Sequence, residues 1–127
     1  MSSYKDLMVW QRSKELAVYV YRITRGSMIS KDYSFIDQMR RSAVSISSNI
    51  AEGDELESDR QSIRYFFIAK GSSAELLTQA IIAFEIEYLS KEDFNYISTE
   101  CDTISRMLAN LIRTRRKEQK RAWLENA

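Results

Sequence analysis

No proline occurs in the 127 residues of this chain. Average usage is about 5%, and proline is the main breaker of helices, so every position is open to a helix. Long uninterrupted helices are the first expectation. Start and stop signals divide the chain. Ser34-Phe35-Ile36-Asp37, Ser58-Asp59-Arg60-Gln61 and Ser90-Lys91-Glu92-Asp93 each place a hydroxyl at a candidate N-cap, with an acid or amide three residues on. Gly26 and Gly53 each follow a periodic apolar stretch and read as helix stops. The spacing predicts helices over 6–25, 34–52, 58–88 and 91–118.

Apolar periodicity marks a buried stripe on each. The fourth helix has Phe94, Ile97, Cys101, Ile104, Leu108 and Leu111 at alternating steps of three and four. The third has Ile63, Phe67, Lys70, Ala74, Leu77, Ile81, Phe84 and Tyr88, with Lys70 as a polar interruption. Ile36, Met39, Ala43, Ile46 and Ile50 form the second stripe. Val9, Leu16, Val20 and Ile23, beside Trp10, Ala17 and Tyr21, form the first. Short connections demand antiparallel neighbours. The predicted fold is all-α: an antiparallel up-down-up-down four-helix bundle in one domain spanning 1–127, ending in a basic segment over about 113–127.

Composition narrows function more by exclusion than by indication. Without histidine there is no Ser-His-Asp or Cys-His pair and no Glu-x-x-His di-iron site. One cysteine allows neither an intrachain disulfide nor a cysteine-rich zinc site. Cys101 lies in the fourth stripe and reads as a small buried hydrophobe. Three scattered glycines make no phosphate loop. No catalytic residue, cofactor, metal or small-molecule substrate is therefore expected, and the chain reads as a non-enzyme. The opening Met1 to Asp6 lacks a secretory pattern, and Leu76 to Leu89 is interrupted by Thr78, Gln79, Glu85 and Glu87. A soluble cytoplasmic protein is the expectation.

Two segments depart from plain amphipathic patterning. Arg41, Ser45, Asn49 and Glu52 line one polar face of the second helix, opposite its apolar stripe. In the third, Gly71-Ser72-Ser73-Ala74 removes bulk for a whole turn, a choice that costs helix stability unless something approaches closely. These small residues serve close helix packing, with Arg41 and Glu75 as a structural ion pair, or else the face of Arg41, Ser45, Asn49, Glu52, Gly71, Ser72 and Glu75 contacts another protein or subunit. The other segment is basic. Arg113, Arg115, Arg116, Lys117, Lys120 and Arg121 oppose Glu118 alone, a local charge of +5 hidden in a net charge of +1, with Trp123 just beyond. Such a segment grips phosphates and stacks a base, or solvates a helix end and complements its dipole.

Three motifs taken together identify a relationship. Tyr4-Lys5-Asp6-Leu7-Met8-Val9-Trp10, the stretch from Gln38 through Arg40-Arg41-Ser42-Ala43-Val44-Ser45 to Asn49-Ile50-Ala51-Glu52-Gly53, and Tyr65-Phe66-Phe67-Ile68-Ala69-Lys70-Gly71-Ser72-Ser73-Ala74-Glu75-Leu76 resemble the bacterial four-helix-bundle proteins encoded in intervening sequences of large-subunit ribosomal RNA genes. The resemblance runs from about residue 4 to 113. It implies a left-handed bundle that assembles into a ring-like homopentamer, with no settled activity. Two departures stand out. Ser47 occupies a position where many members have proline, and Asp54-Glu55-Leu56-Glu57 replaces a glycine- and basic-rich loop, which argues against nucleic-acid binding at that end. The fold is also similar to the pentameric accessory proteins of diversity-generating retroelements, which bind a reverse transcriptase and nucleic acid. The leading expectation is a homo-oligomeric scaffold or binding module, in which Tyr19, Tyr65 and Phe66, lying beside the stripes, pack against neighbouring subunits. The alternative is an RNA- or DNA-binding accessory protein acting through the basic segment, partnered by a nucleic-acid enzyme.

Overall fold

Four helices organise the chain in a computed structural model that describes residues 3–26, 28–56 and 58–126, with only the backbone described for Met28 and Ser30. Glu57 of the acidic loop and the terminal Met1, Ser2 and Ala127 lie outside the described residues, as does Ser27. The helices are α1 (Met8–Ile23), α2 (Tyr33–Glu55), α3 (Asp59–Glu85) and α4 (Lys91–Asn126), with short 3-10 turns at Tyr4–Asp6 and Met28–Lys31. Ser58 caps α3 by accepting from the Gln61 amide, and Ser90 accepts from the Asp93 amide at the start of α4. At α2 the cap is Asp32 rather than Ser34: its carboxylate accepts from the Phe35 amide, and the helix starts a residue earlier than expected. Ser47 leaves α2 unbroken, its hydroxyl donating to the Val44 carbonyl within the helix.

Cross-helix contacts fix the topology. Arg12 pairs with Glu100 and Tyr19 with Asp93, so α1 and α4 run in opposite directions. Ser42 donates to Gln79 and Ser45 meets Ser72, which sets α2 against α3. Phe84 stacks on Phe94 while Ser73 donates to the Cys101 carbonyl, setting α3 against α4. Each helix touches its two neighbours, and α1 and α3, like α2 and α4, lie diagonally apart. This is an antiparallel four-helix bundle.

The expected stripes hold for α2 and α4. Ile36, Met39, Ala43, Ile46 and Ile50 are all buried, as are Ile97, Cys101, Ile104 and Leu108, with Ile112 closing the α4 row. The stripe of α3 is displaced by one residue. Ser62, Phe66, Ala69, Ser73, Leu76, Ala80 and Ala83 face the core, while Phe67, Ile81 and Phe84 of the expected row are exposed. Two rows on α3 share the same spacing, one of small and one of large side chains. Because α3 makes the most extensive contacts in the bundle, small residues face inward where backbones approach closely. Phe66 is thus fully buried in its own core rather than offered to a neighbour. Tyr19 also spends its ring internally, against Tyr96.

Both expected glycine stops are corrected. Gly53 is buried inside α2, which continues to Glu55, and a methyl group there would lie 2.8 Å from the Phe66 ring and 3.1 Å from the Tyr65 Cβ. Close packing, not a turn, selects that glycine. After α1 the helical path gives way at Thr24, whose buried hydroxyl donates to the Val20 carbonyl and accepts from Arg40. The left-handed cap occurs instead after α3, at Glu87 with φ 66°. The Tyr88 amide reaches back to the Ala83 carbonyl and the Glu87 amide to Phe84, the paired bonds of a Schellman turn.

Candidate functional site

The polar face expected on α2 and α3 divides in two. Ser45 and Ser72 bring their hydroxyls to 2.8 Å across the helix pair, and the Asn49 side-chain amide donates to both the carbonyl and the hydroxyl of Ser45. All three are half-buried, so this part bolts α2 to α3. Arg41, Glu52 and Glu75 remain exposed. The expected Arg41–Glu75 pair is absent: the Arg41 guanidinium lies 2.9 Å from Asp37, one turn earlier on its own helix. Gly71 is also corrected, since it faces outward with nothing within 4 Å of where a Cβ would stand. It opens no path for a neighbouring helix inside this chain.

What the α3 stripe excludes becomes surface. Phe67, Ile68, Ile81, Ile82, Phe84 and Ile86 are between 37% and 49% exposed. Gly71, Ala74 and Thr78 lie exposed between the two ends of this row, so the outer face of α3 is bulky and apolar at both ends and shallow in its middle. Periodicity assigned Phe67, Ile81 and Phe84 of this row to the core. A mostly small row at steps of four and three, Ser62, Phe66, Ala69, Ser73, Leu76, Ala80 and Ala83, was the sequence signal for the true inner face.

The basic segment is helical throughout and belongs to α4, which runs eight residues past its expected end. Arg115 turns inward, 2.9 Å from Asp54 and 3.8 Å from Asp59, with its guanidinium over the Phe66 ring. The acidic loop is therefore the anchor of the basic segment. Beyond that contact α4 leaves the bundle, and residues 116–126 are all exposed. At 1.5 Å per residue this overhang is about 15 Å long. Arg113 donates to Asn110, and Arg116 lies 5.3 Å over the exposed Phe67 ring. Lys117, Lys120 and Arg121 are given no carboxylate partner among the described residues.

At about 100° per residue, Arg113, Arg116, Lys117, Lys120 and Arg121 fall within an arc of about 160° that borders the buried α4 row on the Arg116 side and turns away from it on the other. Trp123 and Leu124 share that arc, whereas Glu118, Glu125 and Arg115 fall outside it. Sequence counting put six basic residues in one class. The helix separates one structural cation from five outward ones.

Chemistry elsewhere is muted. The Cys101 thiol is buried, and desolvation pushes its pKa up to about 11, which withholds the thiolate at neutral pH. Burial and the hydrogen bond to Asp93 raise Tyr19 above the usual tyrosine range. Among the described residues no three His, Cys, Asp or Glu side chains are grouped to hold a metal ion, and no helix is long and apolar enough to cross a membrane.

The molecule is an all-α four-helix bundle with an outward apolar helix face and a projecting basic helix. Residues 5–110 match the family described as 23S rRNA-intervening sequence protein, and the chain belongs to that family. A crystal structure of a protein of unknown function from the S23 ribosomal protein family of Bacteroides thetaiotaomicron has the same fold, with a TM-score of 0.76 and 25% identity. The likeness covers 83% of this chain and 98% of that one. No curated protein matches the chain. The family match stops three residues before Arg113, so the overhang lies outside it.

Proposed function

We propose that this protein is a non-enzymatic, homo-oligomeric scaffold whose subunits meet through the outer face of α3. The row of Phe67, Ile68, Ile81, Ile82 and Ile86 carries this reading. Soluble single chains rarely expose large apolar side chains in clusters at both ends of one helix, because covering them removes apolar surface from water. Gly71 then has a purpose: its open outer side leaves room for a helix of a second copy. Arg41, Glu52 and Glu75, free of cross-helix partners, are polar groups a neighbouring subunit can use at the rim. The family resemblance implies five copies in a ring, and a closed cyclic arrangement buries the same face on every subunit.

Light scattering in solution tests the reading. The wild-type chain is expected to run as an oligomer at micromolar concentration, and the double variant Ile68→Asp and Ile82→Asp as a folded monomer. A monomeric wild-type protein would overturn the scaffold.

A further inference from the structure

The projecting end of α4 is built unlike the rest of the surface. Its outward arc holds five cations, one tryptophan and one leucine, and no acid among the described residues. Two shallow recesses lie along one edge of it. The first is lined by Phe67, Lys70, Arg113 and Arg116, with Ala109 and Ile112 as its floor. The second follows directly and is lined by Arg116, Gln119, Lys120 and Trp123. Arg116 belongs to both, and its place over the Phe67 ring holds its guanidinium at the junction. Trp123, 70% exposed, is the most open of the large apolar groups on α4.

We propose that this edge is a track for single-stranded nucleic acid, with Lys70, Arg113, Arg116 and Lys120 on successive phosphates and a base stacked on Trp123. Cations in a line match a backbone of regularly spaced charges. An exposed indole at the end of the line matches an unpaired base, whose face is available only in a single strand. A duplex hides those faces, and an acidic peptide would use the cations while leaving the tryptophan in water. The inward turn of Arg115 supports the assignment, because it pairs with Asp54 and lies 3.8 Å from Asp59, offsetting one of the two negative charges that would otherwise repel a polyanion at the base of the overhang. The track lies on one subunit and shares only Phe67 with the proposed α3 subunit face; its phosphate and base contacts are other residues.

Fluorescence anisotropy of the full chain tests this with a labelled oligouridylate about 16 nucleotides long and a duplex of equal length. Four phosphate contacts predict that single-strand affinity falls roughly 50-fold between about 50 and 200 mM salt. Arg116→Gln with Lys120→Gln should flatten that salt dependence by about half. Trp123→Ala should cost about tenfold on the single strand while leaving the salt dependence and the duplex unchanged. Because Lys120 and Trp123 lie past the end of the bundle and Arg116 meets it only at the exposed Phe67 ring, the variants should melt like the wild type, which separates lost binding from lost folding. Absence of binding at about 50 mM salt, equal affinity for the duplex, or an inert Trp123→Ala would overturn the proposal. Displacement of the oligonucleotide by an equal concentration of polyglutamate would overturn it in favour of an acidic protein partner.

Discussion

The guanidinium of Arg115 lies 2.9 Å from the carboxylate of Asp54, joining the C-terminal stretch of α4 to the end of α2 with both side chains about four-fifths buried. That contact decides where the bundle ends. Beyond it, α4 projects into solvent.

Removing this anchor should cost stability where removing a projecting charge does not. Arg115→Ala leaves Asp54 largely buried and unpaired and strips a cation from the Phe66 ring. A loss of about 1–3 kcal/mol is expected, against less than about 0.5 kcal/mol for Lys120→Ala. Urea unfolding of the two variants provides the comparison. Equal values would show that Arg115 is not an anchor.

The two helix-interior glycines should respond to alanine with opposite signs. Gly71→Ala adds a methyl group in open space and gains helix propensity, about 0.5–1 kcal/mol. Gly53→Ala drives a methyl group into the Phe66 ring at 2.8 Å and should lose about 1–3 kcal/mol to overpacking, beyond any propensity gain. Urea midpoints at low protein concentration read both. A stabilised Gly53→Ala would mean that the α2–α3 contact is loose.

Glu87 carries the only positive φ among the described non-glycine residues, at a position where glycine has no Cβ penalty. Glu87→Gly should raise the melting temperature, with a gain of up to about 1 kcal/mol. Glu87→Ala, which keeps the Cβ, should give no such gain. If both variants stabilise equally, the side-chain charge rather than the backbone is responsible.

Alkaline pH should weaken the fold through Cys101. Its thiol pKa is raised by burial from 9.0 to about 11 in the folded state. The folded chain therefore holds a proton that the unfolded chain releases, so this contribution is complete below about pH 9 and disappears as pH rises through about 11. Tyr19 and Tyr96, also raised by burial, add to the loss at the upper end. Cys101→Ala should make the stability profile between those limits shallower than that of the wild type. Parallel profiles would remove the cysteine from the account.

Much of the bundle was legible because local rules and burial agreed. In α2 and α4 the residues that are apolar are also the ones that face inward, so periodicity located Met39, Ile46, Ile97 and Ile104 directly. Ser58 and Ser90 cap because a hydroxyl placed before a helix has backbone amides within reach, whatever lies around it. The candidate surfaces were less legible. Spacing put Ser45 and Asn49 on one face with Arg41 and Glu52, yet only the contact with Ser72 showed that the first two hold two helices together. Lys70, read as an interruption of a core stripe, lies instead beside Arg113 and Arg116.

The amino-acid sequence by itself determined four proline-free helices, their order and their antiparallel pairing, because hydrogen bonding, capping and connection length act over a few residues. Tertiary structure alone decided which face of α3 is inside. Hydropathy states that Phe67, Ile81 and Ile82 prefer to leave water, but not whether their own core or another molecule receives them. The close approach of α3 to its neighbours favours a row in which small side chains alternate with Phe66 and Leu76, and turns Phe67, Ile81 and Ile82 out. The same long-range packing gave Arg115 to Asp54 and left the other cations of α4 in solvent. Charges identical in the sequence acquire different roles only when a distant carboxylate meets one of them.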